Sequence, residues 1–170
     1  MKILLDTHCW LWWIAEPDRL KESARREIVD RKNEIYLSAA SSWEIAIKYS
    51  IGKLALPEPP EDFVPKRLAR DAISPLPVQH VHALHVSKLP HHHKDPFDRL
   101  IISQAMIERI PIMTVDRQFE PYDVKLLWGN LAKENASEIP GPRFLSATAR
   151  ALRTVSPCFP SRSRPRFRST

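Results

Sequence analysis

The sequence predicts an α/β domain, a three-layer α/β/α sandwich around a central parallel sheet of about five strands. Two observations predict it. Short apolar runs of strand length alternate with longer stretches whose apolar residues recur at helical spacing, the order that builds a parallel sheet covered on both faces. Acidic residues recur just past several of the strand-like runs, where open α/β sheets gather their sites.

The elements follow in order. KILLD (residues 2–6) is an apolar run ending in a polar residue, a buried strand. Thr7 opens a helix carrying Trp10, Leu11, Trp12, Trp13 and Ile14, whose rings pack mainly into the core. Glu16-Pro17 breaks it, and Asp18 is positioned to cap a second helix over about 19–31, with Leu20, Ala24 and Ile28 on one face. EIYLSAA (34–40) is a second strand, after which Ser41 or Ser42 caps a helix with Glu44 in its first turn. Pro57, Pro59 and Pro60 mark a loop. A helix follows to about Asp71, broken or restarted at Pro65. ISPLPV supplies a third strand, residues 78–88 a helix, and Pro96 the first turn of another with Leu100, Ile101, Ala105 and Ile107 on its apolar face. PIMTV (111–115) and VKLLW (124–128) complete the sheet.

The domain is expected to span residues 1–130. Residues 131–170 are a basic tail rich in Pro, Ser and Arg, expected to be disordered. The net charge of +6 belongs to that tail, and the first 130 residues balance to neutrality. Its arginines would attract nucleic acid without specificity, although a solvated tail is the leading reading. Cys9 and Cys158 form neither a disulfide framework nor a zinc ligand set, which points to a reducing cytoplasm. Asp6 and His8 interrupt the apolar N-terminus, no cleavage site follows, and no run approaches a membrane span, so a cytoplasmic protein without membrane contact is expected. Three glycines argue against a phosphate-cradling glycine loop, and none of the nucleotide fingerprints occurs.

The chemistry lies in the acids. Asp6 ends the first strand, Glu44 follows the second, Asp95 and Asp98 flank a helix start, and Asp116 follows PIMTV. Each alone has a plain reading: a helix cap for an Asp after a strand or for Asp95 before Pro96, a dipole partner for Glu44, a turn for Asp116. Together they could converge on one sheet edge. Carboxylates sharing a small volume raise one another's pKa. A hard divalent cation relieves that repulsion, takes oxygen ligands and activates water for phosphodiester hydrolysis.

Four segments occur in order: LLDTHCWLWW, SAASSWEIAIK with GKL soon after, HHHKDPFDRLIISQA, and TVDRQFEPYDVKLLW. Residues 1–128 thereby resemble VapC-type toxins, the PIN-domain endoribonucleases of bacterial toxin–antitoxin pairs. The resemblance implies a PIN-like fold and a Mg²⁺ site, with Mn²⁺ as substitute, formed by Asp6, Glu44, Asp98 and Asp116. It implies Asp95 as an additional acid, and Thr7 and Thr114 as hydroxyls beside the metal. It implies an RNA substrate, a small cognate antitoxin that blocks the site, and a homodimer. The basic tail departs from the pattern, since such toxins ordinarily end near Trp128.

Other features weigh less. His91, His92 and His93 are adjacent, so one metal would rarely take all three; a solvent-exposed loop is the leading reading, with a phosphate contact near Asp95 as the alternative. Of His80, His82 and His85, only the last two share a helix face, and a surface or half-buried role is expected. Lys48 and Arg99 could offset the local negative charge or steer phosphate, Arg99 being the better supporting candidate. A phosphatase using Asp6 as nucleophile is weakened by His8 at the position where the haloacid-dehalogenase-like signature needs a second Asp. A non-catalytic PIN-like binding module is opposed by the complete acid set.

Overall fold

β1 (Lys2–Leu5) sends Ile3 and Leu5 to one face of a sheet and Leu4 to the other, the alternation a pleated strand imposes. All three side chains are fully buried. This strand is therefore central, and its apolar run reads continuously because both faces are covered. The computed structural model describes residues 1–127, so the tail expected at 131–170 lies outside the described residues.

β2 (Glu34–Ser38), β3 (Ser74–Leu76), β4 (Ile112–Met113) and β5 (Leu126–Leu127) join β1 in a five-stranded sheet of order β3-β2-β1-β4-β5. Every pairing is parallel, with Ile3 beside Ile35 and Leu5 beside both Leu37 and Met113. The expected fold class is thus the observed one. On one face α1 (Thr7–Ala15), α2 (Glu22–Val29) and α4 (Pro60–Arg70) close a core containing Trp10, Leu20, Ile28, Phe63 and Val64. On the other, α6 (Pro96–Glu108) lays Ile101, Ile102 and Ala105 against Leu4 and Ile112. Trp10 and Trp12 are buried as expected. Among the described residues the exposed tryptophan is Trp43, on α3 (Ala39–Ser50), its ring edge-on to Phe97 at 5.0 Å. No helix among the described residues is long and apolar enough to cross a membrane.

Several local expectations are corrected. Ser38, not Ser41 or Ser42, caps α3, its Oγ accepting from Ala40 N at 2.9 Å. The helix therefore starts at Ala39, which moves Glu44 into the second turn and removes its reading as a dipole partner. Asp18 does not cap α2. It sits in a single 3₁₀ turn, and its carboxylate receives Arg25 at 2.8 Å. α4 runs unbroken through Pro65, because Pro60 at its first position already fixes helical φ and Pro65 removes one internal bond only. His82, on α5 (His80–His85), is buried rather than at the surface. Its Nδ1 accepts from Gln79 N at 3.1 Å and its Nε2 meets Glu108 at 3.0 Å, which ties α5 to the end of α6.

The strand order fixes where a site can form. From β1 the chain proceeds outward through β2 and β3, then returns to place β4 on the opposite side of β1. A crevice opens at such a reversal, outside the carboxyl ends of the two strands. Asp6 follows β1 there, and Thr114 and Asp116 follow β4.

Candidate acidic site

Asp6 is the first residue past β1 and the N-cap of α1. Its Oδ1 accepts from His8 N at 3.3 Å and its Oδ2 from the Thr114 hydroxyl at 2.7 Å. Thr114 also accepts from Asp116 N at 3.0 Å, so one buried hydroxyl couples the ends of the two central strands. Asp116 in turn caps a short 3₁₀ turn, accepting from Gln118 N at 2.8 Å. Asp95 caps α6 through Phe97 N at 2.8 Å, and Asp98 lies in the first turn of that helix. The acids therefore stand at the starts of helical segments, where partial positive charge favours them.

That favourable field does not neutralise the cluster. Burial, then the nearby carboxylates of Asp6, Asp95, Glu44 and Asp116, push Asp98 up to about 9. Burial also raises Asp6, with Glu44 adding to the rise and His8 and Thr114 opposing it. Burial, with Asp6 close by, drives the Cys9 thiol upward, so it stays an inert apolar group on the buried face of α1. These mutual effects locate Glu44 with the other acids, although it comes from α3. It is 3% exposed, and its Oε1 pairs with Lys48 one helical turn along. Lys48 thus offsets part of the charge, as its position suggested.

A divalent cation fits this donor set on two observations. Glu44 Oε2 and the Thr7 hydroxyl are buried yet find no hydrogen-bond partner among the described residues. Buried polar atoms ordinarily find one, and a bound cation would supply it to an acid that already acts on Asp6 and Asp98. The second is the raised Asp98, a carboxyl that only a positive charge would return to its ionised form. Asp98, Asp116, Asp95 and His93 line an open cleft of about 580 Å³ with Lys94, Pro96 and Gln118.

Arg99 is placed differently from expectation. It is 7% exposed, and its guanidinium donates to the carbonyls of Pro90 at 2.7 Å, Val86 at 3.0 Å and Leu89 at 3.1 Å. It staples the histidine loop to α6, and backbone carbonyls occupy its fork. A charged, five-donor group achieves burial only by saturating such acceptors.

His93 was underestimated by the sequence. His91 and His92 are exposed as expected, but His93 is 5% exposed, with Nε2 at 3.2 Å from Asp116 Oδ2 and 3.3 Å from Asp98 Oδ2. Tyr122 was missed altogether. Its hydroxyl accepts from His93 N at 2.8 Å and donates to Pro90 O at 3.0 Å. The only signal for His93 was its place two residues before the capping Asp95; nothing local marked Tyr122.

The PIN domain family model matches residues 3–125. Over 61 residues the chain is 52% identical to Ribonuclease VapC16 of Mycobacterium tuberculosis, a match covering 36% of this chain and 43% of that relative. The chain thus spans less than half the length of that relative. It is 29% identical over 120 residues to Ribonuclease VapC22 of the same organism, covering 71% of this chain and 91% of the relative. Among solved structures, VapBC2 from Rickettsia felis bound to a DNA fragment from their promoter matches with a TM-score of 0.57 at 18% identity, over 75% of this chain and 98% of that one. At such identity the likeness is one of fold.

Proposed function

The chain belongs to the PIN-domain family and is of the VapC type, and from that premise we propose that it is a metal-dependent endoribonuclease, the toxin of a toxin–antitoxin pair. In this reading Asp6, Glu44, Asp98 and Asp116 hold Mg²⁺, or Mn²⁺ in its place. Asp95, Thr7 and Thr114 support them, and Arg99 acts at one remove by fixing the loop beside the cleft. The observation that carries the reading is a half-buried Asp98 pushed up to about 9, first by burial and then by four neighbouring carboxylates, in an open cleft. An arrangement so costly to the bare protein is retained where a cation completes it.

The bound cation would neutralise the cluster, accept a phosphate oxygen and lower the pKa of a water for attack on phosphorus. The chain's own part is to orient the oxygens. Thr114 holds Asp6 Oδ2, and backbone amides hold Asp6, Asp95 and Asp116 through their caps. Neutral charge over the first 130 residues leaves the cation as the main attraction for RNA at the cleft.

A small antitoxin and a second copy of the chain are the proposed protein partners. Support comes from the VapBC likeness and from an apolar groove of about 710 Å³ between α3 and α4, lined by Tyr49, Val64 and Leu68 among others. A reducing cytoplasm is the proposed compartment, consistent with the buried free thiol of Cys9.

The test is RNA cleavage by the purified chain. Cleavage is expected with Mg²⁺ or Mn²⁺, absent in EDTA, and lost in Asp6→Asn with the circular dichroism spectrum unchanged. Undiminished cleavage in EDTA, or by the folded variant, overturns the reading.

A further inference from the structure

Three groups at the cleft, His93, Asp98 and Asp116, offer ligand atoms that all lie within 4.8 Å of one another. Spacing alone would make them a His/Asp/Asp metal triad, a set that favours transition metals over magnesium. Hydrogen bonding points the other way. His93 Nδ1 accepts from the backbone N–H of Asp95 at 3.1 Å. A nitrogen that accepts carries no hydrogen, so the proton of the neutral imidazole lies on Nε2. A protonated Nε2 has no lone pair to give a cation. It donates, and its hydrogen-bond acceptor is Asp116 Oδ2 at 3.2 Å, with Asp98 Oδ2 close alongside at 3.3 Å.

We propose that His93 is a positioning residue for the metal site and not a ligand: its single Nε2–H bonds Asp116 with Asp98 alongside, and sets the two carboxyl groups side by side. This rests on the functional reading above. Once a cation ionises Asp98 beside Asp116 the two carboxylates repel each other, and the donor hydrogen lying against both holds them at the spacing a shared cation needs. Ligands so oriented by a hydrogen-bonding neighbour bind metal more tightly than free ones.

The surroundings fit a part built to hold one ring in one pose. Phe119 packs edge-on against the imidazole, with centroids 5.6 Å apart and planes at 73°. Tyr122 receives the backbone N–H of His93, and Arg99 ties down the carbonyls of Val86, Leu89 and Pro90 just before it. The Asp95 amide that fixes the tautomer belongs to the residue that caps α6, so the ring and the start of the helix bearing Asp98 are set together. The segment HHHKDPFDR is thereby one device: Arg99 anchors the loop, Asp95 starts the helix and orients the ring, and His93 holds Asp98 against Asp116.

The test uses the full chain without RNA. In protein carrying ¹⁵N-histidine, His93 Nε2 is expected to keep its directly bonded proton in both the metal-free and the Mg²⁺-saturated states. Loss of that proton on Mg²⁺ binding, with the proton moving to Nδ1, would make His93 a ligand and overturn the proposal. By calorimetry, His93→Ala is expected to weaken Mg²⁺ binding about 10- to 100-fold. His93→Gln, whose amide N–H reaches the place of Nε2, should recover most of that loss. Wild-type affinity in His93→Ala, or equal weakening in both variants, also overturns it. If His93→Ala does not fold, the wild-type spectrum still decides. A wild-type chain that takes up neither Mg²⁺ nor Mn²⁺ strikes down the functional reading and this one with it, whereas metal uptake with the wrong His93 outcome removes this proposal alone.

Discussion

The two sides of the cleft are built on opposite principles. On the sheet side, Thr7 and Glu44 bury polar atoms that nothing among the described residues satisfies, and Asp6 is buried as a carboxyl raised above its ordinary range. On the loop side, His93 uses both ring nitrogens, and Arg99 and Tyr122 spend their donors on the carbonyls of residues 86–93. Both sides are about equally buried, so burial does not separate them. The difference teaches how the two sides divide the work: the sheet side leaves acceptors without a partner among the described residues, whereas the loop side satisfies its own groups and so holds a fixed shape against the acids.

Asp98 lies where the two sides meet, and replacing it gives the largest expected effect. Asp98→Asn should reduce RNA cleavage on the order of 10²- to 10³-fold, the usual loss when one electrostatic stabiliser is removed. Cleavage within a few-fold of wild type would show that the acids do not act as one cluster.

The pH dependence of stability comes next. Burial keeps Asp98 protonated up to about pH 9 in the metal-free fold, while an unfolded aspartate titrates near about 3.9. Between those limits the folded chain holds a proton that the unfolded chain has released. Stability from this group is therefore fully present below the unfolded value and falls as pH rises, by at most about 1.4 kcal/mol per unit. Thermal melts of the metal-free protein should show wild type losing ground to Asp98→Asn between pH 5 and pH 8, and Mg²⁺ should restore it. Parallel melting curves for the two would remove the charge cluster as a source of strain.

The loop side is expected to respond in stability first and activity second. Arg99→Ala strands three buried or half-buried carbonyls and should cost about 3 kcal/mol, read by urea denaturation. Tyr122→Phe removes one hydroxyl that links His93 N to Pro90 O and should cost about 1 kcal/mol. A Tyr122→Phe loss as large as that of Arg99→Ala would mean that the loop hangs on the tyrosine instead of the guanidinium.

The fold was legible because its signals are local and repeated. KILLD and EIYLS each bury alternate residues on opposite faces, and their apolar runs announce strands covered on both sides. Boundaries were less legible where several capping residues compete. Ser38, Ser41 and Ser42 can all cap a helix by type. Ser38 was selected because its hydroxyl, at the end of β2, can also reach Gln104 on α6. The start of α3, and with it the inward turn of Glu44, thus depended on a residue 66 positions away.

Asp6, Asp95, Asp98 and Asp116 could be listed from the sequence because each stands at a strand end or helix start, a position that residue order alone specifies, whereas Glu44 lies one turn inside α3. Their convergence was a matter of strand order. Only when β4 returned to lie beside β1 did Thr114 reach Asp6, 108 residues earlier in the chain. The roles of His93 and Arg99 were also decided in three dimensions. A histidine's proton goes where its neighbours leave room for it, and a guanidinium faces whichever acceptors surround it. By itself, then, the sequence determined the α/β class and the identities of the acidic donors, because periodicity and residue type are properties of the chain. Which donors meet, and which polar groups remain unsatisfied, was settled by the tertiary structure, because hydrogen bonds and charge repulsion depend on distances between residues far apart in sequence.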